Sequence, residues 1–131
     1  LCQRCEKSGW LVRAVGPQLD VRPFYTTSSV LVHPARSEPG GLVLLEAMSQ
    51  GLPVIATDVC GYARFVREAN SGWVLSENSV EESLPKVLQE ILSSPAMLTK
   101  KGAKALSYVH AKDFFSSHHH IAQTLLQGPV A

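Results

Sequence analysis

The chain has 131 residues, the length of one ordinary domain and too short for two. Apolar residues make up 45% of the composition and charged residues 18%, which is typical of a protein with a packed core. Twelve Lys and Arg against eleven Asp and Glu leave a net charge of +1, too weak a field to indicate a nucleic acid or an anionic membrane as partner. No apolar run approaches the roughly 18 to 20 residues of a transmembrane helix, and no signal peptide is predicted.

The three cysteines cannot all pair within one chain, and nothing else indicates a small disulfide-stabilised protein. We therefore expect reduced thiols in a cytosolic protein. The chain begins with Leu1 and its methionines are Met48 and Met97, so we expect it to be a piece of a longer polypeptide.

The first elements are short. Residues 1–9 are typical of the end of a helix, and the apolar run at 11–15 predicts a first strand. Asp20 is the expected N-cap of a short helix over residues 21–27. A second strand is predicted at 29–33.

The central part of the chain predicts a parallel sheet. The strands at 29–33 and 54–56 are continuously apolar rather than alternating, which is typical of strands covered on both faces. Residues 41–51 between them have a helical composition, and Gly51 is the expected left-handed residue at the helix end. This strand, helix and strand form one crossover unit, which indicates the α/β class.

The alternation continues with a helix at 63–69, a turn, and a strand at 73–75, which makes four predicted strands. From residue 79 onward only helices are predicted. Pro85 disfavours a helix that begins at Val80, so Ser83 is the predicted N-cap. The apolar face of this helix is predicted to comprise Leu84, Val87, Leu88, Ile91 and Leu92.

Two more helices are predicted in the rest of the chain. One begins after Ser94 and Pro95 and runs to about residue 110, and the last covers residues 116–127. The chain shows neither an internal repeat nor a low-complexity linker.

Glu46 is the least expected residue of the helix over 41–51, whose other side chains are almost all apolar. An unpaired carboxylate in a buried helix would cost several kcal/mol of desolvation free energy. Glu46 therefore either faces solvent on a polar stripe with Ser49 and Gln50, or caps a neighbouring loop, or binds a ligand.

The loop before this helix, residues 37–41, follows a predicted parallel strand, where the ligands of open α/β sheets bind. Gly40 and Gly41 can let backbone N–H groups approach an anion at the helix start, which carries roughly half a positive charge, or they merely permit positive φ. Glu38 in the same loop is suited to accept hydrogen bonds from sugar hydroxyls.

These residues resemble a known family. The run 37–48, SEPGGLVLLEAM, followed by 51–57, GLPVIAT, resembles the E-x7-E pattern of the family 4 retaining glycosyltransferases of the GT-B fold. Residues 33–35, HPA, and 58–63, DVCGYA, are most similar to the subgroup that adds glucose to the first heptose of the lipopolysaccharide core. The resemblance implies that residues 1–131 are the C-terminal, nucleotide-sugar-binding domain, a Rossmann-like parallel sheet with helices on both faces that lacks its first strand–helix unit.

The resemblance also implies roles for individual residues. Glu38 matches the glutamate that binds the donor sugar beside the reacting anomeric carbon, and is the candidate catalytic residue. Glu46 matches the glutamate that holds the ribose hydroxyls. The other implied donor-binding residues are Gly40, Gly41, Leu42, Val43 and Gly61.

The implied activity is transfer of a hexose, glucose from UDP-glucose, to a glycan or glycolipid acceptor with retention of configuration. No metal or other cofactor is implied, because an Arg and a Lys that precede Leu1 would clamp the diphosphate. The acceptor would bind the N-terminal domain outside this chain, and the fragment alone would be inactive. We expect a cytoplasmic protein, peripheral at the inner membrane through the missing part, with no nucleic-acid partner.

Two other functions remain open. A non-catalytic nucleotide-sugar-binding or truncated scaffold module would carry the same residues. A dinucleotide-dependent oxidoreductase is disfavoured because no G-x-G-x-x-G follows a predicted strand.

Several polar residues are expected to have no functional role. Cys2 and Cys5 have the spacing of half a zinc site but lack a second pair. Arg36 is expected to be a surface residue, and His33 a hydrogen-bonded core residue. Three consecutive histidines point in different directions on a helix and cannot share one metal ion: His118, His119 and His120. Tyr62 and Arg64 could touch a ligand or pack the loop, and are not assigned.

Overall fold

The computed structural model describes residues 12–112 and residue 114. Its sheet contains three parallel strands, β1 (Leu31–His33), β2 (Val54–Thr57) and β3 (Gly72–Leu75), in the order β1-β2-β3. All four residues of β2 are buried. Side chains alternate between the two faces of a strand, so both faces of this central strand are covered.

Five helices surround the sheet in the described part of the chain. They are α1 (Arg22–Thr27), α2 (Leu42–Ser49), α3 (Ala63–Ala69), α4 (Val80–Ser93) and α5 (Ala96–Lys112), with a 3-10 turn at Glu77–Ser79. The helices α2 and α3 each connect two neighbouring strands, which confirms the predicted crossover units.

The helix α2 supplies much of the core because four of its eight residues are buried, namely Leu44, Leu45, Ala47 and Met48. They join Val54 and Ala56 of β2 and Ala105 and Val109 of α5 in one apolar cluster. The end of α2 is as predicted, since Gly51 has φ +70° and its N–H donates to the carbonyl of Met48 at 3.0 Å.

The predicted strand at 11–15 is wrong for the residues that the structure describes. Residues 12–15 form no strand, and Val12 and Val15 are 46% and 42% exposed. The described sheet therefore has three strands instead of four. An apolar run forms a strand only where another strand pairs its backbone groups, and among the described residues none does so here.

The strand β1 also departs from expectation. It begins at Leu31 rather than at residue 29, and Val32 is 38% exposed, so β1 is not covered on both faces. The reason is its position, because β1 is an edge strand of the described sheet and β2 is the central one.

The predicted N-cap at Ser83 is wrong, because α4 begins at Val80 and contains Pro85 in its sixth position. Proline at this position removes one helical hydrogen bond without ending the helix. Asp58, after β2, accepts a hydrogen bond from the N–H of Glu77 at 2.9 Å and so holds the turn that leads into α4. Of the predicted apolar face of α4, Ile91 is buried as expected, but Leu92 is 71% exposed.

The remaining helices agree with expectation to within two residues. The helix α3 has the predicted bounds, and α5 extends to Lys112. The predicted N-cap at Asp20 is wrong, because Val21 occupies that position of α1, although the carboxylate of Asp20 accepts the N–H of Arg22 at 3.1 Å. The predicted helices at 1–9 and 116–127, the Cys2–Cys5 pair and the three consecutive histidines lie outside the described residues. None of the five described helices is both long enough and apolar enough to span a bilayer.

Candidate functional site

Two loops at the carboxyl edge of the sheet are joined to each other. Glu38, after β1, forms an isolated parallel bridge with Cys60, after β2. The N–H of Gly61 donates to the carbonyl of Glu38 at 3.2 Å, and the N–H of Tyr62 donates to the carbonyl of Gly40 at 3.0 Å. The structure therefore brings together three of the predicted site residues, Glu38, Gly40 and Gly61, at the edge where such sheets bind ligands.

Gly61 is required by this contact between the loops. A Cβ atom at position 61 would lie 2.1 Å from the carbonyl oxygen of Pro39, much closer than any real Cβ contact. Only a residue without a side chain lets the two backbones approach so closely.

Thr57 adds a further hydrogen bond between the chain segments that follow β1 and β2. It is fully buried at the end of β2, and its hydroxyl donates to the carbonyl of Ala35 at 2.5 Å. Sequence reasoning missed this residue. The only available signal was a hydroxyl at the end of an otherwise apolar strand.

The start of α2 has free backbone donors. Gly41 occupies the N-cap position with φ +93°, and the first helical hydrogen bond runs from the N–H of Leu44 to the carbonyl of Gly41 at 2.9 Å. The N–H groups of Gly41, Leu42 and Val43 make no hydrogen bond among the described residues. Three backbone donors are therefore available to an anion at the positive end of the helix.

The carboxylate of Glu38 folds back over this loop. Its Oε1 atom accepts a hydrogen bond from the N–H of Gly40 at 3.1 Å, so the Gly40 amide is already satisfied within the protein. Oε2 of Glu38 makes no hydrogen bond or ion pair with another described residue. The side chain is half-buried, so this second oxygen is the one that can meet a ligand.

Glu46 lies one helical turn after Leu42 on α2 and is half-buried. Its Oε2 atom accepts a hydrogen bond from the hydroxyl of Tyr25 in α1 at 2.8 Å. Burial, followed by the hydrogen bond to Glu46, raises the pKa of Tyr25 to about 12. Sequence reasoning missed Tyr25, because nothing in a short predicted helix indicates a contact with a residue 21 positions away.

A cavity of about 260 Å³ lies beside this pair, lined by Val21, Arg22, Tyr25, Glu46, Ser49 and Gln50. Its one cation does not neutralise Glu46, because the guanidinium of Arg22 makes two hydrogen bonds, each of 2.9 Å, to the carboxylate of Asp20. Glu46 thus faces this cavity with Tyr25 as its hydrogen-bond partner, rather than lying on an exposed stripe.

Four other polar residues near these loops make contacts within the protein or are buried: Arg36, Tyr62, Arg64 and His33. Arg36 is exposed and pairs with Glu81 at 3.5 Å, which confirms it as a surface residue. Tyr62 and Arg64 both pack on Phe65, the first ring to ring at 5.6 Å and the second with its guanidinium 4.5 Å from the ring centre. The expectation for His33 is wrong, because its Nε2 atom is buried without a hydrogen-bond partner among the described residues.

Among residues 12–112 and 114, no group of three or more His, Cys, Asp and Glu side chains is arranged to hold a metal ion.

Comparisons with known proteins agree on one family. The profile described as Glycosyl transferases group 1 matches residues 12–107. The chain is 38% identical over 97 residues to lipopolysaccharide glucosyltransferase WaaG of Escherichia coli K12, an alignment that covers 74% of this chain and 26% of that protein.

Solved structures support the same assignment. The crystal structure of WaaG, a glycosyltransferase involved in lipopolysaccharide biosynthesis, has a TM-score of 0.72 at 37% identity and covers 76% of this chain and 27% of that one. Sucrose-phosphate synthase from Thermosynechococcus elongatus has a TM-score of 0.75 at 27% identity, covering 95% of this chain and 32% of that one. These similarities confirm the predicted α/β class with a Rossmann-like parallel sheet. The chain spans about a quarter to a third of the length of these proteins.

Proposed function

The chain belongs to the family described as Glycosyl transferases group 1, and we propose that it is the nucleotide-sugar-binding part of a retaining glycosyltransferase that moves glucose from UDP-glucose to a lipopolysaccharide core acceptor. The observation that carries the proposal is the arrangement at the start of α2, where Glu38 and three free backbone donors lie at the carboxyl edge of the sheet. The similarity to lipopolysaccharide glucosyltransferase WaaG supports the choice of hexose and acceptor.

The diphosphate of the donor is proposed to bind at the N-terminus of α2. The N–H groups of Gly41, Leu42 and Val43 are unpaired among the described residues, and they point from the end of the helix that attracts negative charge. Charge that develops on the leaving diphosphate would be stabilised there without rearrangement of the protein, which lowers the barrier to bond cleavage. We propose that the diphosphate binds without a metal ion. An Arg and a Lys that precede Leu1 would supply the remaining positive charge around it.

Glu38 is proposed to orient the donor sugar. Its Oε1 atom accepts a hydrogen bond from the N–H of Gly40 at 3.1 Å, which fixes the side chain. Its Oε2 atom can then accept hydrogen bonds from sugar hydroxyls beside the anomeric carbon. In this role Glu38 positions the sugar and transfers no proton, and retention follows from delivery of the acceptor to the face from which UDP leaves.

Glu46 is proposed to bind the ribose hydroxyls of the nucleotide. It lies on the same helix as the diphosphate-binding donors, about 6 Å along the axis from Leu42, a spacing that suits a phosphate followed by a ribose. Its carboxylate accepts a hydrogen bond from a neutral partner, Tyr25, and forms no ion pair among the described residues, so its other oxygen can accept hydrogen bonds from the ribose.

The acceptor and the rest of the machinery are proposed to lie outside this chain. Residues 1–131 would form the C-terminal domain of a GT-B enzyme, with the acceptor bound to an N-terminal domain. The fragment alone would then be inactive, and the complete enzyme would be cytoplasmic and peripheral at the inner membrane.

The test is a calorimetric titration of UDP-glucose into the full-length protein, its Glu46→Ala variant and its Glu81→Ala variant. Glu81 is the matched control, because it is an exposed glutamate on α4. Loss of a hydrogen bond to a charged group lowers affinity roughly tenfold or more, so we expect this loss in Glu46→Ala and an unchanged affinity in Glu81→Ala. Equal affinities in all three proteins would remove Glu46 from the ribose site.

A transfer assay separates the proposed enzyme from a non-catalytic module. The full-length protein is expected to release UDP and glucosylate a lipopolysaccharide core acceptor. Binding of UDP-glucose without transfer or hydrolysis would instead favour the non-catalytic module.

A further inference from the structure

The hydrogen bond between Tyr25 and Glu46 joins α1 to α2, and Tyr25 belongs to the same apolar cluster as Leu44 and Met48 of α2. Tyr25 is the one buried residue of α1, with 8% of its surface exposed, while the other residues of this helix are exposed. Its hydroxyl reaches the carboxylate of Glu46 at 2.8 Å. A glutamate side chain on a helix surface samples several rotamers, and this hydrogen bond selects one of them.

From this contact we infer that Tyr25 is a positioning residue for Glu46, and that the pair makes the site select ribonucleotide donors over 2′-deoxyribonucleotide donors. The inference rests on the proposed function, since it assumes that Glu46 meets the ribose. A carboxylate held in one orientation loses no further conformational entropy when it accepts the ribose hydroxyls, whereas a free carboxylate loses this entropy on binding.

None of the other described polar residues near Glu46 donates a hydrogen bond to its carboxylate. The hydroxyl of Ser49 donates to the backbone carbonyl of Glu46 at 2.7 Å, so it does not contact the carboxylate. The side-chain amide of Gln50 donates to the hydroxyl of Ser49 at 3.3 Å. Arg22 is held by Asp20 at the rim of the same cavity. Among the described residues, the carboxylate of Glu46 therefore has one hydrogen-bond donor, which is Tyr25.

A neutral donor suits this position better than a cation. The tyrosine hydroxyl gives one hydrogen bond to Oε2 and leaves the negative charge of Glu46 available for the ribose. A lysine or arginine would compete with the ribose hydroxyls for the same charge. Because the pKa of Tyr25 is raised to about 12, the hydroxyl keeps its proton throughout the neutral range.

The test measures how strongly the full-length protein prefers a ribonucleotide. The dissociation constants of UDP, GDP and ADP and of their 2′-deoxy forms are measured for the unaltered protein, Tyr25→Phe and Tyr108→Phe. Phenylalanine keeps the buried ring and removes only the hydroxyl. Tyr108 is the matched control, because its hydroxyl also donates to a glutamate, Glu68, and the pKa of Tyr108 is likewise raised to about 12.

We expect the unaltered protein and Tyr108→Phe to bind the ribonucleotide roughly tenfold more tightly than its 2′-deoxy form. Tyr25→Phe should reduce this preference to about threefold or less, chiefly because it weakens binding of the ribonucleotide. A purely structural role for Tyr25 would lower the melting temperature and leave the preference unchanged, and this result would overturn the inference. Tyr25→Leu, a second variant without the hydroxyl, should give the same preference as Tyr25→Phe.

Failure of the inference and failure of the proposed function give different results. If the unaltered protein binds none of the three nucleotides, or binds ribo and 2′-deoxy forms equally, the proposed ribose site is wrong and the inference falls with it. A different result would refute only the role of Tyr25. In that case the unaltered protein prefers the ribonucleotide, Glu46→Gln abolishes this preference, and Tyr25→Phe keeps it, so the proposed ribose site is retained. Effects of Tyr25→Phe and Glu46→Gln on the preference should not add in the double variant, because both act on one carboxylate.

Discussion

The close approach of Gly61 to the neighbouring loop predicts that Gly61→Ala is strongly destabilising. The added Cβ would lie 2.1 Å from the carbonyl oxygen of Pro39, so one of the two backbones must move by about 1 Å to restore an ordinary contact. Such a shift also strains two hydrogen bonds between the loops, those donated by Gly61 and Tyr62.

The magnitude follows from these contacts. Overpacking against a backbone atom costs about 1 to 3 kcal/mol, and each weakened hydrogen bond adds about 0.5 to 1.5 kcal/mol. With two such hydrogen bonds, we expect Gly61→Ala to lower the free energy of unfolding by about 2 to 6 kcal/mol. Affinity for UDP-glucose should fall as well, because the displaced loop carries Glu38.

Urea denaturation of the protein, Gly61→Ala and Gly40→Ala provides the measurement. Gly40 is the matched control for stability, since its Cβ would be 3.6 Å from Oε1 of Glu38, an ordinary contact, and its φ is not positive. Gly40→Ala should cost less than about 1 kcal/mol. Equal losses of stability in the two variants would refute the reasoning, because they would show that the inter-loop contact does not limit position 61.

Two further predictions concern the helices. Pro85 lies inside α4 and is exposed, so Pro85→Ala should restore a hydrogen bond to the carbonyl of Glu81 and raise the free energy of unfolding in urea by about 1 to 3 kcal/mol. Gln89→Ala is its control, because Gln89 is an exposed residue in the interior of the same helix, and it should change stability by less than about 0.5 kcal/mol; a stability of Pro85→Ala equal to or below that of the unaltered protein would refute this reasoning. The second prediction follows from the pKa of Tyr25, which burial raises in the folded state from an ordinary value of 10.0 to about 12. The folded protein holds this proton more tightly than the unfolded chain, so the resulting stability is complete below about pH 10 and is lost as the pH rises towards about 12. The difference in unfolding free energy between the protein and Tyr25→Phe should therefore shrink between about pH 10 and about pH 12, and a difference independent of pH would contradict the assigned environment of Tyr25.

The sequence by itself determined the elements whose signals are local. The continuous apolar run of β2, the helix α2 with Gly51 at its end, and the bounds of α3 each depend on residues within a few positions of one another. The resemblance to the glycosyltransferases was likewise visible in one uninterrupted stretch around Glu38 and Glu46. Backbone propensity, periodicity and a contiguous motif can be interpreted without knowledge of the packing.

Tertiary structure alone decided how the site is held together. The hydrogen bond of Thr57 to Ala35 spans 22 positions, and that of Tyr25 to Glu46 spans 21. The bridge between Glu38 and Cys60 likewise joins loops that follow different strands. Such contacts leave no periodic pattern in the sequence, because each depends on which elements become neighbours when the sheet forms.

The same reason explains the elements that sequence analysis assigned wrongly. Whether the run at 11–15 joins the sheet, whether Val32 is covered, and whether Pro85 ends a helix are decided by neighbours elsewhere in the chain. A strand needs a partner for its hydrogen bonds, and a helix tolerates one missing bond when its ends and its apolar face are held by other elements. Local propensity sets what a segment can form, and the free energy of packing selects what it does form.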